Sequence, residues 1–233
     1  MKKKDKILIF TGAGISAESG IETFRSETGL WNNHDVMDVC HPSGWKRDPN
    51  AVLDFYNERR ESIRLAEPNI AHKAIVELEK FYDVVIVTQN IDDLHERAGS
   101  SEVIHLHGEI TKVRSAGTDK IYDNGYKKTM LGDKCEINFQ LRPHIVWFTE
   151  NPFNYDVAIN HFRTADKVLI IGTSLKVNPA ASLPLYSNVA KEKIIVAKDY
   201  PNIPCGYSFK QGLASELIPN IVNDWINKIK ENF

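Results

Sequence analysis

The sequence predicts an α/β chain: a parallel sheet with helices on both faces, carrying a smaller module made from two insertions. Two observations predict it. Short runs rich in β-branched residues lie between longer helical patterns, and the runs show no polar alternation, as suits strands covered on both sides. Two segments, 31–68 and 109–142, break that alternation, the second rich in Gly, Lys, Asp and Thr, and are expected to pack together. The large unit then comprises 1–30, 69–108 and 143–233.

The expected strands are 7–10, 84–88, 103–106, 145–148, 168–171 and 194–196. The first, Ile-Leu-Ile-Phe, follows Lys2, Lys3, Lys4 and Lys6 but is too short for a signal peptide or a membrane span. Helical patterns cover 16–24, 49–66, 69–81, 94–98, 153–165, 180–190 and 214–229. The last carries an apolar stripe of Leu217, Ile218, Ile221, Val222, Trp225, Ile226 and Ile229, which reads as core packing. With 42% hydrophobic and 26% charged residues over 233 positions, disorder, collagen and coiled coil are excluded. A formal charge of −2 gives no bulk attraction to nucleic acid or anionic membrane, and neither is expected as a partner. Cys40, Cys135 and Cys205, odd in number and far apart, predict a reducing, cytoplasmic setting rather than a disulfide framework.

Three motifs carry chemistry. The strand at 7–10 runs into Thr11-Gly12-Ala13-Gly14-Ile15-Ser16-Ala17, a G-x-G-x-x-A turn opening a helix. Gly12 and Gly14 there either let backbone approach a pyrophosphate or simply permit a tight strand-to-helix turn. The acidic residue that an ordinary dehydrogenase places at the end of its second strand is not evident. Thr88-Gln89-Asn90-Ile91-Asp92 follows another strand, where open α/β sheets bind ligands, although an Asn-Asp turn capping the next helix explains it equally in isolation. His105 and His107, two apart, point the same way on a strand. No further His or Cys cluster supports metal, whereas a neutral imidazole near a cleft suits general base work.

Taken in order, Gly12-Ala13-Gly14-Ile15-Ser16 with Gly20-Ile21 and Phe24-Arg25, then Thr88 to Asp92, His107-Gly108, Pro143 to Glu150 and Gly172-Thr173-Ser174 resemble the sirtuins over nearly the whole chain. The resemblance implies a Rossmann-like large domain, a small domain from the two insertions, and an NAD-dependent protein-lysine deacylase. It implies that Gly12, Ala13, Gly14, Ser16 and Glu18 hold the NAD phosphates and ribose, and that Phe24 and Arg25 belong to a mobile cofactor loop. Gln89 and Asn90 contact the nicotinamide ribose and a water, with Asn90 counted as catalytic beside the base His107. Ile91 and Asp92 bind the carboxamide; Gly172, Thr173, Ser174 and Ala214 lie on the adenosine side. The implied reaction transfers the acyl group of a modified lysine to ADP-ribose as nicotinamide leaves, His107 deprotonating a ribose hydroxyl.

On the helix at 49–66, Tyr56 and Arg59 are three apart and share a face, so a phenol and a guanidinium could converge on one carboxylate. A solvated, salt-bridged face is the alternative reading. The pair resembles the sirtuin branch that removes succinyl and malonyl groups, while deacetylation stays open. Val146, Phe148, Thr149 and Val177 correspond to the segments that bind substrate peptide, with Trp147 expected in the core. Two departures stand out. Most sirtuins carry two C-x-x-C pairs after the histidine; here the interval holds only Cys135, so no zinc is expected and the insertion must pack through Ile121, Tyr122, Tyr126, Met130, Leu131 and Phe139. Thr149 stands where the family usually has Gly, and Ala197-Lys198-Asp199 replaces a usual Asn-containing ribose contact. Acylated-lysine proteins are the expected partners and a monomer the expected state. Protein ADP-ribosyl transfer, NAD cleavage and a non-catalytic NAD sensor are the competing readings.

Overall fold

The computed structural model describes residues 4–23, 30–31 and 34–231. Along the chain run β1 (Lys6–Thr11), α1 (Gly14–Ala17), β2 (Leu30–Trp31), β3 (His34–Asp35), α2 (Val36–Val39), α3 (Pro42–Arg47), α4 (Pro49–Leu65), α5 (Ile70–Leu78), β4 (Asp83–Thr88), α6 (Leu94–Ala98), β5 (Val103–His105), β6 (Gly108–Ser115), β7 (Ile121–Asp123) and β8 (Leu141–Ile145). Then follow α7 (Tyr155–Thr164), β9 (Lys167–Ile171), a 3-10 helix (Ala180–Tyr186), β10 (Glu192–Ala197), β11 (Ser208–Gln211) and α8 (Ala214–Lys230).

Six strands form a parallel sheet in the order β11-β10-β9-β1-β4-β5. Central β1 shows why its sequence is apolar at every position from Ile7 to Phe10. Ile7 and Ile9 face Ile75, Ile218 and Trp225 from α5 and α8, while Leu8 and Phe10 face Ala158 and Phe162 from α7 on the other side. Helix starts are fixed locally: Asp48 accepts the Ala51 N–H at α4, with Pro49 next, and Asn69 accepts the Ala71 N–H at α5. Among the described residues no helix is long and apolar enough to cross a membrane.

A second sheet, antiparallel and ordered β7-β6-β8, carries the second insertion. It corrects one expectation. The run 145–148 is not a strand of the parallel sheet; only Ile145 is in a strand, β8, opposite Gly108. Beyond it the chain leaves the ladder, turning at Thr149 with φ 76°. Strand β11 escaped notice because Ser-Phe-Lys-Gln is short, polar and at the sheet edge. The helix expected over 180–190 is a 3-10 helix ending at Tyr186, with Pro184 inside it. Regular helix from Gly14 stops at Ala17, and Gly20 adopts φ 86°.

The insertion is also fastened differently from the expected apolar set. Ile121, Met130, Leu131 and Phe139 are exposed, and Tyr126 alone of the six packs against the third core cluster, with Val52, Tyr56, Ile110, Ile145 and Trp147. Buried polar bonds do the fastening. The Asn57 side chain donates to the Thr129 carbonyl and accepts its N–H, both at 2.9 Å, and Arg60 Nε donates to the Ile110 carbonyl at 2.9 Å. Tyr126 hydroxyl meets the Asp93 carboxylate.

Candidate active site

β1, β4 and β9 end at one level, Thr11 lying opposite both Thr88 and Ile171. The chain runs from β1 to β4 on one side and later to β9 on the other, which is the switch point where open α/β sheets hold ligands. A cleft of about 1070 Å³ opens there, at the upper end of the ~300–1,000 Å³ usual for ligand sites. Gly12, Ala13, Gly14, Ser16 and Glu18 line it from the turn after β1, Gln89, Asn90, Ile91 and Asp92 from the loop after β4, and Gly172, Thr173 and Ser174 from the turn after β9. Ala214 borders it at the start of α8, His107 and Arg59 reach its wall, and Val146, Phe148, Thr149 and Val177 form the opposite rim. Phe24 and Arg25 lie outside the described residues.

The glycines of the first turn answer to protein packing. A Cβ on Gly12 would sit 2.7 Å from Thr173 Cβ, and one on Gly14 would sit 2.6 Å from Gly172 Cα. Their absent side chains let the turns after β1 and β9 interlock, and Gly14 N–H donates to the Gly172 carbonyl at 2.8 Å. Gly12 N–H is likewise bonded, to the Ile171 carbonyl at 2.9 Å. Glu18 has a structural partner too: it accepts the Ser215 N–H in the first turn of α8.

The loop after β4 is the most tightly bonded part of the cleft. Asn90 Nδ2 donates to the Gly12 carbonyl at 3.2 Å and Ser16 Oγ at 3.1 Å, and Gln89 Nε2 donates to Thr173 Oγ1 at 3.1 Å. Asp92 accepts the Leu94 N–H at 3.2 Å, so its carboxylate also caps α6, the bland role the sequence allowed. Burial pushes the Asp92 carboxyl up, against the hydrogen bonds from Leu94 and Ser16. His107 sits with Nδ1 3.0 Å from the Gln89 carbonyl. A carbonyl only accepts, so Nδ1 carries the proton and Nε2 keeps the lone pair that a base needs. Burial pushes the imidazole below its usual value of 6.5, opposed by the Gln89 carbonyl.

Of the pair Tyr56 and Arg59, only Arg59 is among the residues that line the cleft. Arg59 is 4% exposed; its Nη2 donates to the Glu22 carbonyl at 3.2 Å, its Nε has no partner, and no salt bridge reaches it among the described residues. Its guanidinium lies 5.0 Å from the Trp31 ring centroid. Burial lowers its pKa, with Glu22, Tyr56 and Asp92 opposing. Tyr56 is wholly buried, its hydroxyl accepting Trp147 Nε1–H at 3.1 Å. Arg59 thus borders the cleft directly, whereas Tyr56 is not among its lining residues and lies close enough to Arg59 to act on its charge. Cys40, which sequence reasoning did not select, does line the cleft, and burial pushes its thiol up to about 11.

The rim segment after β8 is pinned at several points. Val146 N–H donates to the His107 carbonyl and Phe148 N–H to the Cys40 carbonyl, each at 2.9 Å. Glu150 accepts the Trp147 N–H at 2.8 Å while taking Arg114 and Arg142, each at 2.8 Å. Trp147 is core and Phe148 is 40% exposed. Among the described residues no group of three or more His, Cys, Asp or Glu could hold a metal, and Cys135 packs against Ser115 Oγ at 3.4 Å. A dinucleotide suits the residues present: an elongated set of three loops at a switch point, with amide, hydroxyl and carboxyl groups at one end and glycine turns at the other.

The Sir2 family model matches residues 12–179. A Helicobacter pylori protein called NAD-dependent protein deacylase is 52% identical over 189 residues, spanning 81% of this chain and 82% of the relative. Among solved structures, a Sir2 homolog–NAD complex matches with a TM-score of 0.86 at 36% identity, over 97% of this chain and 91% of the other. A complex of Sir2 with a p53 peptide and NAD+ matches with a TM-score of 0.78 at 28% identity, over 95% of this chain and 94% of the other. With its parallel sheet, its second antiparallel sheet and its switch-point cleft aligned to such structures along almost its full length, the chain belongs to the Sir2 family.

Proposed function

We propose that this chain is an NAD-dependent protein-lysine deacylase that accepts acidic acyl groups, succinyl or malonyl, and works without zinc. The observation that carries the deacylase reading is His107, tautomer-locked by the Gln89 carbonyl, in one cleft with Asn90, Asp92 and the glycine turns. Gly12 to Ser16 and Gly172 to Ser174 would hold the diphosphate and adenosine side, and Gln89 to Asp92 the nicotinamide riboside. NAD supplies the activated glycosidic carbon; this chain's residues orient it, exclude water and move the proton at His107 Nε2. Holding acyl carbonyl and sugar in line is the main device, because an amide oxygen is a weak nucleophile. The relatives' names and the peptide complex support acylated peptide or protein substrates. With the N–H groups of Val146, Trp147 and Phe148 already bonded, peptide pairing on this rim falls to carbonyls and Thr149.

Arg59 supports the acidic acyl preference. A buried guanidinium on a cleft wall, with an unpartnered Nε and, among the described residues, no salt bridge, is costly until an anion arrives. The test is mass spectrometry of O-acyl-ADP-ribose formed from acetyl-, succinyl- and malonyl-lysine peptides. Arg59→Met should cut kcat/KM on succinyl peptide by about 100-fold, within the ~2–5 kcal/mol lost when one partner of a buried charge pair is removed. Acetyl peptide should change little. Equal losses on both substrates would sink the acyl preference, and nicotinamide release independent of any acyl peptide would sink the deacylase reading. Zinc at one equivalent by elemental analysis would overturn the metal-free assignment.

A further inference from the structure

The loop that carries Asn90 and Asp92 is gripped along its backbone by a single stretch, residues 105–110. Leu106 N–H donates to the Thr88 carbonyl at 2.9 Å, and Ile110 N–H to the Ile91 carbonyl at 2.8 Å. Between them, His107 Nδ1 reaches the Gln89 carbonyl and His105 Nδ1 the Asn90 carbonyl, both at 3.0 Å. Four successive carbonyls are thus held, the middle two by imidazoles. His107 faces the cleft; His105 does not line it and is 8% exposed.

The other nitrogen of His105 lies 2.8 Å from Glu96 Oε1 on α6. A carbonyl and an ionised carboxylate both accept only, so the ring satisfies both only with a proton on each nitrogen. We propose that His105, held as an imidazolium between Glu96 and the Asn90 carbonyl, is a positioning residue that sets the nicotinamide-side loop Gln89–Asp92. This rests on the NAD-consuming function proposed above. A neutral ring has one N–H for two acceptors and must release either the loop or the carboxylate.

The surroundings favour the cation. Glu96 and His95 face it from α6, Glu109 and its partner Lys112 from β6, and Asp92 from the loop itself. Burial works against the charge, yet Glu96, Glu109 and the Asn90 carbonyl together raise the His105 pKa above 6.5. His107, with no carboxylate beside it, moves the other way. The two histidines therefore bound activity from opposite sides: protonation of His107 removes the base at low pH, and deprotonation of His105 loosens the loop at high pH.

Three measurements test this. Nitrogen-15 NMR of the imidazoles in the free enzyme should show His105 protonated on both nitrogens at pH 7.5. Calorimetry of NAD binding without acyl peptide should show His105→Ala weakened about tenfold or more, the scale of a lost charge-assisted hydrogen bond. His105→Asn, whose amide N–H can replace Nδ1, should recover most of that affinity. Glu96→Gln, which keeps an acceptor oxygen but no charge, should shift the alkaline limb of kcat/KM for NAD down by about one pH unit. Wild-type NAD affinity in His105→Ala, a singly protonated ring at pH 7.5, or superimposable pH profiles for wild type and Glu96→Gln would each overturn the assignment. Should His105→Ala fail to fold, NMR and Glu96→Gln decide. An enzyme that binds no NAD refutes the function instead, while the NMR result on free protein still judges the clamp.

Discussion

At the residue scale, His107 and its neighbour Gly108 are constrained for different reasons. If His107 is the base proposed above, His107→Ala is expected to cost about 10²–10⁴ in turnover, with NAD binding measured by calorimetry largely kept. Because burial holds the His107 pKa below 6.5, its base form persists to lower pH than a free imidazole's. The acid limb of kcat/KM should therefore fall below pH 6.5, and a limb above that value would contradict the buried, carbonyl-bonded ring. Gly108 has φ 87°, and a Cβ there would lie 2.0 Å from the His144 carbonyl oxygen. Gly108→Ala adds backbone strain to a collision with the β8 strand, so a loss of roughly 3 kcal/mol or more is expected in urea unfolding. Activity should fall with it, since the same backbone sets His107.

At the scale of elements, the rim after β8 depends on one carboxylate. Glu150 joins Arg114 of β6 and Arg142 of β8 to the Trp147 backbone, and the Arg142 guanidinium lies 3.2 Å from the Trp147 ring centroid. Glu150→Ala would leave two largely buried guanidiniums together, a loss of about 3 kcal/mol measurable by chemical denaturation. On the peptide role proposed for this rim, peptide KM should rise more than NAD KM. Thr149 adds strain to the same turn. A β-branched residue at φ 76° is an outlier, and a glycine would meet that backbone without strain.

At the scale of the molecule, acid stability follows from histidines kept neutral. His72 is fully buried with neither ring nitrogen bonded, and burial pushes it down to about 4; His144 is lowered to about 4 by burial and by nearby Arg114. Above pH 6.5 neither ring is protonated, folded or unfolded. Between 6.5 and 4 the unfolded chain takes up protons that the folded one refuses, so stability falls with pH, by up to ~3 kcal/mol for His72. The urea midpoint should drop across that window, and His72→Gln should flatten the drop. Much of this architecture was legible beforehand. Strands 7–10, 84–87 and 168–171 are apolar at every position because helices cover both faces, and the ordered motifs beside them line the cleft. What was not legible depended on distant partners. The antiparallel placement of Ile145 comes from pairing with Gly108, the Tyr56 hydroxyl is taken by Trp147, and the Glu96–His105 contact joins a helix to a strand that no local pattern links. Finally, the interlock of Gly12 and Gly14 with Gly172 and Thr173 makes the nucleotide-side wall one welded block. Neither turn can shift without the other, so any ligand lying across them meets a wall that yields only as a whole.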